Sequence, residues 1–466
     1  MKRKKIEKLP LTGIATKGKA LARTEEGLVV FVQGGVPGDI ADVEVYKKRR
    51  SYAEGRVAKL VNPSPDRIEP KCEHFGVCGG CQWQHLSYEA QLKHKQQDVH
   101  NNLQRIGGIS DIECFPIIGS ANIFEYRNKM EYSFSNRRWL TKEETQSNST
   151  LERNALGFHK PGMWDKVVDI DTCHLQQNHA NDIRNFVRDY AINHQLEFFD
   201  HRNKKGLLRT MMIRNSSIGQ WMVVIQFFED KKQARINLLD ALIKAFPEIH
   251  SLNYVINAKA NDSIYDQEVV CYHGTPFVEE KMEDLIFRIT PKAFYQTNSE
   301  QAFALYKIVR QMAQLTGSER VYDLYTGLGT IAQFVAKDAA YVVGVESVPE
   351  AIEAARENAV RNQITNTHFE VGDMKKVFND GFIDRHGKPD VVITDPPRDG
   401  MHKDVINQLL KLNPKRIVYV SCIVSTQARD LALMKDSYKV ISVQPVDMFP
   451  HTQHVENVVL LERIHD

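Results

Sequence analysis

The sequence predicts an α/β protein whose C-terminal half folds into a doubly wound, mainly parallel sheet. Three observations support this fold class. From about residue 299 onward, strand-like apolar runs alternate with helical segments. Residues 9–60 contain short β-rich runs divided by glycine, and residues 66–290 are mixed, with hairpin-like strands. The 466-residue chain is long enough for two or three domains, and we place them at residues 1–60, 61–290 and 291–466.

The N-terminal segment is predicted to be a small antiparallel barrel. The runs Leu28–Val32 and Ala41–Tyr46 are rich in β-forming residues, and two glycine-containing turns lie between them. Closure into a barrel removes the exposed edges of so short an all-β unit. Residues 1–60 contain 14 Lys and Arg against 7 Asp and Glu, a net charge of +7, while the remainder has −5. This asymmetry favours contact with nucleic acid, although a solvated basic surface fits the charge equally well.

The C-terminal half has the clearest pattern of the chain. Five strands are expected first, at Arg320–Tyr325, Tyr341–Glu346, His368–Gly372, Asp390–Thr394 and Arg416–Ser421. Helices fill the gaps between them, for example Pro349–Asn362 and Val405–Leu412. Two further strands, Lys439–Val446 and Asn457–Glu462, follow. In such a sheet, ligands bind beyond the carboxyl ends of the strands.

Composition indicates a folded protein that is not embedded in a membrane. Hydrophobic residues make up 42% and charged residues 26%, and no apolar run reaches the roughly 18 residues that a membrane span requires. The seven cysteines are few and unevenly spaced, which argues against a disulfide scaffold and for a reducing compartment. We therefore expect a cytoplasmic protein, and a monomer.

Polar side chains follow each of the first four strands of the C-terminal sheet. After the first strand, Gly327 and Gly329 let the backbone turn tightly toward a ligand. Glu346 ends the second strand, where a carboxylate can accept hydrogen bonds from ribose hydroxyls. Asp373 ends the third strand, where it could meet an adenine amino group, and Asp395 follows the fourth. These positions predict a nucleotide-like ligand.

The glycine turn admits two interpretations of that ligand. Gly327-Leu-Gly-Thr-Ile-Ala332 fits the dinucleotide pattern G-x-G-x-x-A. However, Asp323 lies just before the glycines and suits a cationic sulfonium amino acid better than a pyrophosphate. The sequence Asp395-Pro-Pro is also typical of nucleic-acid and amide methyltransferases. Four acidic residues at successive strand ends therefore favour S-adenosylmethionine.

Cys422 ends the fifth strand, and residues 447–456 follow the sixth. A free cysteine is most often a small buried hydrophobe, but this one is expected beside the cofactor cleft. Methylation of uracil at C5 is a reaction that would need a nucleophile of this kind beside the methyl donor. C5 of uracil is a poor nucleophile toward a methyl donor, and a thiolate that adds to C6 makes C5 electron-rich. The C5 proton must then leave before the thiol is expelled, which requires a general base. Glu456 is our candidate for this base, with His451 and His454 as alternatives.

The motifs Phe294-Tyr-Gln-Thr-Asn298, Val420-Ser-Cys422 and His454-Val-Glu456 resemble those of RNA uracil-5-methyltransferases. The resemblance is to the iron–sulfur-containing branch that acts on 23S ribosomal RNA, and it covers nearly the whole chain. It implies a Rossmann-like class I methyltransferase domain, an N-terminal TRAM domain (an OB-like β-barrel that binds RNA) and a mixed α+β central iron–sulfur domain.

The same resemblance implies a role for individual residues. Cys422 falls on the family's nucleophile and Glu456 on its base. The contacts to S-adenosyl-L-methionine fall on Gln296, Tyr325, Thr330, Glu346, Asp373 and Asp395. Two positions depart from the family pattern, because Thr326 stands where cysteine is common and Thr330 where asparagine is common.

A cysteine cluster opens the central segment. The pattern Cys72-x5-Cys78-Gly-Gly-Cys81 places three thiols in one loop, and Cys173 could supply a fourth. Spacing alone allows zinc bound by four thiolates, which is frequent, or an iron–sulfur cluster. The resemblance implies a [4Fe-4S] cluster at these four cysteines. The two cysteines without a pattern, Cys114 and Cys271, are assigned to packing.

The predicted reaction is C5-methylation of a uridine in 23S ribosomal RNA through a covalent bond between Cys422 and C6. The target base must leave any stack, so a single-stranded or flipped uridine is expected. In the middle of the chain, residues 126–139 interleave basic and aromatic residues, which favours either RNA stacking or an ordinary amphipathic strand. A transfer-RNA uracil methyltransferase is the nearest alternative function. A noncatalytic RNA-binding protein is a more distant alternative, and the Cys422–Glu456 pair argues against it.

Overall fold

A computed structural model describes residues 4–110, 112–147 and 151–464. The first strands form a closed barrel in the order β1-β2-β3-β5-β4. These strands are β1 (Lys4–Ile14), β2 (Ala20–Arg23), β3 (Val29–Gln33), β4 (Ile40–Lys48) and β5 (Tyr52–Asn62). The predicted closure is present, but β3 and β5 are parallel whereas the prediction was a wholly antiparallel barrel. Five strands cannot close with antiparallel pairs only, because strand direction can alternate around a closed ring only when the strand number is even.

The central part of the chain forms a seven-stranded sheet in the order β13-β12-β11-β10-β7-β8-β9. Helices α3 and α4 cover one face of it, where their apolar residues share a core with the strands. The elements from residue 63 to residue 298 are α1 (Tyr88–Arg105), β6 (Glu113–Cys114), β7 (Lys129–Ser135), α2 (Lys142–Gln146), β8 (Ala155–Lys160), β9 (Met163–Asp169), α3 (Asn178–Asn193), β10 (Leu208–Asn215), β11 (Trp221–Phe227), α4 (Lys232–Ala245), β12 (Ile249–Ile256), β13 (Val270–Gly274), β14 (Val278–Met282) and β15 (Leu285–Ile289).

The C-terminal part confirms the predicted doubly wound sheet. Its strand order is β18-β17-β16-β19-β20-β22-β21-β6, with β16 to β20 parallel to one another and β22 antiparallel to both its neighbours. The elements are α5 (Ser299–Ala313), β16 (Arg320–Leu324), α6 (Thr330–Ala336), β17 (Tyr341–Glu346), α7 (Pro349–Arg361), β18 (Thr367–Val371), α8 (Met374–Val377), α9 (Asp380–His386), β19 (Val391–Thr394), α10 (Lys403–Leu412), β20 (Arg416–Ser421), α11 (Val424–Met434), β21 (Tyr438–Val446) and β22 (Glu456–Arg463).

Two elements from the middle of the chain join this C-terminal sheet. Strand β6 adds to its edge beside β21, and Val99 and Leu103 of α1 are buried in the core on one face of the sheet. Helix α1 therefore connects the cysteine-containing loop before it with the body that contains Cys422. Among the described residues, none of the helices has both the length and the apolar character needed to cross a membrane.

Candidate active site

A tight turn joins β16 to α6 at the carboxyl edge of the sheet. Tyr325, Gly327 and Gly329 have φ values of 67°, 55° and 71°, all in the left-handed region. Glycine adopts this region at little cost, and a Cβ at Gly329 would lie 2.7 Å from the ring of Phe369. At Gly327 a Cβ would meet no atom within 4 Å. The turn is therefore packed against the protein at one glycine and faces open space at the other.

Asp323 stabilises this turn through hydrogen bonds from inside the protein. Its Oδ2 accepts hydrogen bonds from the hydroxyl of Thr326 and, at 3.0 Å, from the N–H of Ala332. Burial raises the pKa of Asp323 to about 7. Its Oδ1 has no hydrogen-bond partner among the described residues, which leaves one buried acceptor behind the glycine turn.

Glu346 and Asp373 lie at the ends of neighbouring strands, beside the same turn. Glu346 accepts a hydrogen bond from the N–H of Gly327 at 3.3 Å and from the hydroxyl of Ser347 at 2.9 Å. Asp373 caps α8 by accepting from the N–H of Lys375 at 3.1 Å. With Tyr325, these two carboxylates line a cavity of about 610 Å³. Cavities of this size accommodate a nucleoside-sized ligand.

The other three residues predicted to contact the cofactor do not line that cavity. Thr330 and Asp395 lie around the buried Tyr306, whose hydroxyl is 3.3 Å from Oγ1 of Thr330. Burial raises the pKa of Tyr306, and the negative charge of Asp395 adds to this effect. Gln296 precedes α5, and its backbone carbonyl accepts a hydrogen bond at 2.9 Å from the side chain of Asn128. The structure thus divides the six predicted residues into two groups of three.

The antiparallel ladder between β20 and β22 brings Cys422 and Glu456 together. Its last pair is Ser421 with Asn457, and Cys422 and Glu456 are the next residues beyond that pair. The two side chains are close enough for the charge of Glu456 to raise the pKa of the Cys422 thiol. Gln427 of α11 secures this end of the ladder, because it donates to the Asn457 carbonyl at 3.1 Å and accepts from the Asn457 side chain at 2.8 Å.

The surroundings of Cys422 and Glu456 raise the pKa of both side chains. Burial raises the pKa of Glu456 to about 8, with a further contribution from Asp395 and an opposing one from Arg398. Burial and the charge of Glu456 raise the pKa of the Cys422 thiol to about 11. Asp395 is partly exposed but closely surrounded by protein, and burial raises its pKa to about 7. A carboxyl group that titrates near neutral pH is well suited to transfer a proton.

The two histidines considered as alternative bases differ in how they are held. His451 is buried, its backbone N–H donates to the side-chain oxygen of Gln91 at 2.8 Å, and burial lowers the pKa of its ring to about 4. His454 is half-buried, and burial lowers its pKa as well. His451 is therefore a neutral part of the framework, whereas Glu456 has the strand-end position and the pKa expected of a base.

Four cysteines line a second cavity, of about 310 Å³, in the central part of the molecule. Burial raises the pKa of Cys72 to about 11 and that of Cys81 to about 12, and the neighbouring thiols add to both shifts. Within the described part of the chain, no three cysteine sulfur atoms lie within 4.8 Å of one another. The four residues are the ones that the sequence placed together: Cys72, Cys78, Cys81 and Cys173.

The remaining two cysteines do not line this cavity. The sulfur of Cys114 accepts a hydrogen bond from Gln96 at 3.0 Å, and Cys271 donates to the carbonyl of His273 at 3.6 Å. Of the basic and aromatic residues at 126–139, Tyr132 and Phe134 are buried in the central core. The packing interpretation is thus correct for those two rings, and they cannot stack on RNA.

Sequence reasoning missed Tyr306, Arg398 and Gln427. Arg398 belongs to the noted motif Asp395-Pro-Pro-Arg398, so its place beside Asp395 could have been inferred. Tyr306 and Gln427 lie inside the ordinary helices α5 and α11, and no local pattern distinguishes them from core residues.

Comparison with known families gives two matches. The tRNA (Uracil-5-)-methyltransferase family matches residues 222–464. The TRAM domain matches residues 7–58, which lie within the five-stranded barrel. The two matches cover separate parts of the chain and leave residues 59–221, including the four cysteines, outside both.

Individual proteins are similar over nearly the whole chain. An uncharacterized RNA methyltransferase of Porphyromonas gingivalis is 54% identical, covering 98% of this chain and 99% of its own length. Another from Bacteroides thetaiotaomicron is 52% identical, covering 96% of this chain and 100% of its own. Among solved structures, the Pyrococcus abyssi tRNA (uracil-54, C5)-methyltransferase in complex with S-adenosyl-L-homocysteine is 28% identical with a TM-score of 0.74. The similarity covers 97% of this chain and 100% of that one.

Proposed function

The chain belongs to the tRNA (uracil-5-)-methyltransferase family, and on this premise we propose that it methylates C5 of a uridine in 23S ribosomal RNA through a covalent bond between Cys422 and C6. It is an RNA methyltransferase that uses S-adenosylmethionine. The observation that supports the covalent route is the position of Cys422 and Glu456 just beyond the last pair of β20 and β22, where the charge of Glu456 acts on the Cys422 thiol. A nucleophile and a base on neighbouring strand ends can act on adjacent atoms of one ring.

The reaction begins at the sulfur atom of Cys422. The raised pKa keeps the Cys422 thiol protonated in the free enzyme, and because Cys422 is partly exposed, its proton can leave to solvent as the sulfur adds to C6. The S–C6 bond forms as the C5=C6 electron pair moves toward C5 and O4, and C5 becomes the nucleophile. C5 takes the methyl group from the sulfonium centre of S-adenosylmethionine; the S–CH3 bond breaks and S-adenosylhomocysteine leaves with the electron pair.

Glu456 completes the reaction by removing the proton from C5. The released electron pair restores the C5=C6 double bond, the S–C6 bond breaks, and Cys422 leaves as a thiolate. A base is most effective when its pKa is near the working pH, and burial has raised the pKa of Glu456 to about 8. The cavity lined by Tyr325, Glu346 and Asp373 is assigned to the adenosine part of the cofactor. Gln296, Thr330 and Asp395 are assigned to its methionine part and the reacting base.

The second cavity is assigned to a [4Fe-4S] cluster bound by Cys72, Cys78, Cys81 and Cys173. Tetrahedral zinc with Zn–S bonds of about 2.3 Å would need sulfur atoms roughly 3.8 Å apart. No three cysteine sulfurs of the described residues lie within 4.8 Å of one another. A four-iron cluster would accept thiolates that lie farther apart. Bound by these four cysteines, it would hold the loop rigidly, because methyl transfer moves no net electron.

Each of the three predicted domains is assigned a different part of this function. Residues 1–60, with a net charge of +7, bind RNA phosphates. Residues 61–290 hold the metal group and contact RNA, with Arg127 and Lys129 beside the cysteines. Residues 291–466 transfer the methyl group. The enzyme is inferred to act as a monomer in the cytoplasm, a compartment in which unpaired cysteines such as these are usual.

A uridine in transfer RNA is the second candidate, because the similar Pyrococcus abyssi enzyme methylates uracil 54 of tRNA by its name. Mapping 5-methyluridine in a strain that lacks the protein distinguishes the two. Loss of a 23S position, restored by wild type but not by Cys422→Ala, is expected. Loss confined to tRNA selects the second candidate, and unchanged 5-methyluridine in both RNAs contradicts the proposal.

A further inference from the structure

Residues 447–455 join β21 to β22 and end immediately before Glu456. His451 lies in the middle of this segment and has a φ of 65°, in the left-handed region. A non-glycine residue keeps this conformation only where its surroundings determine it. Because His451 is also 2% exposed, its buried contacts set the path of the chain that delivers Glu456 to the site.

Gln91 of α1 makes two of these contacts. It is fully buried, and its Oε1 accepts a hydrogen bond from the backbone N–H of His451 at 2.8 Å. Its Nε2 lies 3.2 Å from the ring Nδ1 of the same histidine. Nε2 also lies 3.0 Å from the carbonyl of Trp83 and 2.8 Å from that of Leu86. Removing this buried amide takes one hydrogen-bond partner away from each of these groups. Gln91 is thus a joint between α1, the loop after the cysteines and His451.

The chain that leaves the cysteine cavity makes the other contacts. Directly after Cys81, the N–H of Gln82 donates to the carbonyl of His451 at 2.8 Å, and the N–H of Trp83 donates to the same oxygen at 3.0 Å. The Gln82 side chain accepts from the N–H of Gln453 at 3.3 Å. Only two residues separate Gln453 from Glu456. The cysteine loop and the segment before Glu456 are therefore connected by hydrogen bonds.

We propose that Gln91 is a positioning residue for Glu456, and that the four-cysteine cavity, through Cys81 and Gln82, is the second anchor of the same segment. This inference rests on the proposed role of Glu456 as the base. A metal group bound to Cys81 holds Gln82 in place against His451, and its loss frees that contact. Because Cys422 follows β20, and no residue of β20 or α11 takes part in these hydrogen bonds, the anchors act on adduct release more than on adduct formation.

The first test separates those two steps with Gln91→Met. The matched control is Gln97→Met, at an exposed position of the same helix. Single-turnover reactions with a short RNA containing the target uridine measure formation of the methylated adduct and its release. Gln91→Met is expected to slow release about tenfold or more while formation changes less than about threefold. The control should match wild type. Equal slowing of both steps in Gln91→Met, or no slowing, overturns the positioning role.

The second test uses wild-type protein only, so its result does not depend on how well Gln91→Met folds. Hydrogen exchange of the backbone amides at 447–455 is compared in wild-type protein with its metal bound and after removal by a chelator. Exchange there should become about tenfold faster on removal, while β16 and β17 stay unchanged. Protein that binds no metal, or unchanged exchange at 447–455, overturns the second anchor.

Different results would disprove the covalent function and the positioning role of Gln91. If wild-type protein forms no adduct with RNA that contains 5-fluorouridine, the proposed covalent function is wrong. If wild type forms and releases its adduct, and Gln91→Met does so with the same rates, only the positioning role is wrong.

Discussion

Cys422 and the four cysteines of the second cavity have the same thiol and differ in their neighbours. Cys422 follows a strand and faces the carboxyl group of Glu456, with Asp395 and Arg398 nearby. The other thiols face one another around a cavity of about 310 Å³. Burial raises the pKa of Cys422 and of Cys72 alike to about 11, so burial does not distinguish the two places.

The neighbours supply the distinction. A single thiol beside a carboxyl group that can exchange a proton is suited to form and break a bond with carbon. Four thiols around one cavity offer several sulfur ligands at once and are suited to bind a metal group.

Replacing the isolated thiol should have the largest effect. Cys422→Ala is expected to lower turnover by about 10⁴-fold or more, because the covalent route needs the sulfur atom. S-adenosylmethionine affinity, measured by calorimetry, should change less than about threefold, since the cavity is unaltered. RNA that contains 5-fluorouridine should form an adduct with wild type and none with the variant. The control Cys271→Ala should behave as wild type, and normal turnover in Cys422→Ala would refute its role.

Replacing the neighbouring carboxyl group should act at a later step. Glu456→Gln still allows addition and methyl transfer but removes the base, and turnover should fall about 10²–10⁴-fold. A methylated RNA–protein adduct should accumulate and survive denaturing electrophoresis. Glu462→Gln, on the same strand, is the matched control and should accumulate none. Release of free methylated RNA by Glu456→Gln at the wild-type rate would show that another group removes the proton.

Replacing one of the clustered thiols should affect the metal first and the reaction second. Cys81→Ser is expected to lose iron and acid-labile sulfide, measured by chemical analysis of protein purified without oxygen. Turnover should fall about tenfold, which is less than for Cys422→Ala, because this sulfur does not touch the RNA base. Cys114→Ser should keep its full iron content. Stoichiometric zinc without iron in the wild type would contradict the cluster assignment.

The smallest expected effect is on the stability of the fold, through the buried carboxyl group of Glu456. The folded pKa of Glu456 is about 8, against an ordinary value of about 4.3. Between these values the folded protein keeps a proton that the unfolded chain releases, so stability falls as pH rises. From pH 5 to 8.5, the free energy of unfolding of wild type should drop by about 2–4 kcal/mol relative to Glu456→Gln. Chemical denaturation measures this difference, and a pH-independent difference would mean that Glu456 is not buried as an acid.

Most of the C-terminal fold could be predicted from sequence because its strands are continuous apolar runs. Strand β17 was predicted at Tyr341–Glu346 and lies there, and β20 also matches. The family matches confirm the predicted methyltransferase family and its TRAM domain. The iron–sulfur branch and the 23S target remain predictions.

Local patterns did not predict the contacts between distant parts of the chain. The parallel pairing of β3 with β5 depends on the number of strands in the closed barrel. Helix α1 and β6 join a sheet formed more than 200 residues later. Gln91 has no sequence pattern that distinguishes it from other helical glutamines, and its partner His451 lies 360 residues away.

The strand ends, the glycine turn and the candidates Cys422 and Glu456 can be read from the sequence, because these depend on the order of residues over short spans. That Cys422 and Glu456 lie close together follows from the fold, because the antiparallel register of β20 and β22 ends directly beside them. The fold also decided the raised pKa of Glu456, since burial depends on every element packed around the carboxyl group. The connection from Cys81 to the segment before Glu456 likewise exists only in the fold, because hydrogen bonds between distant residues leave no local pattern in the sequence.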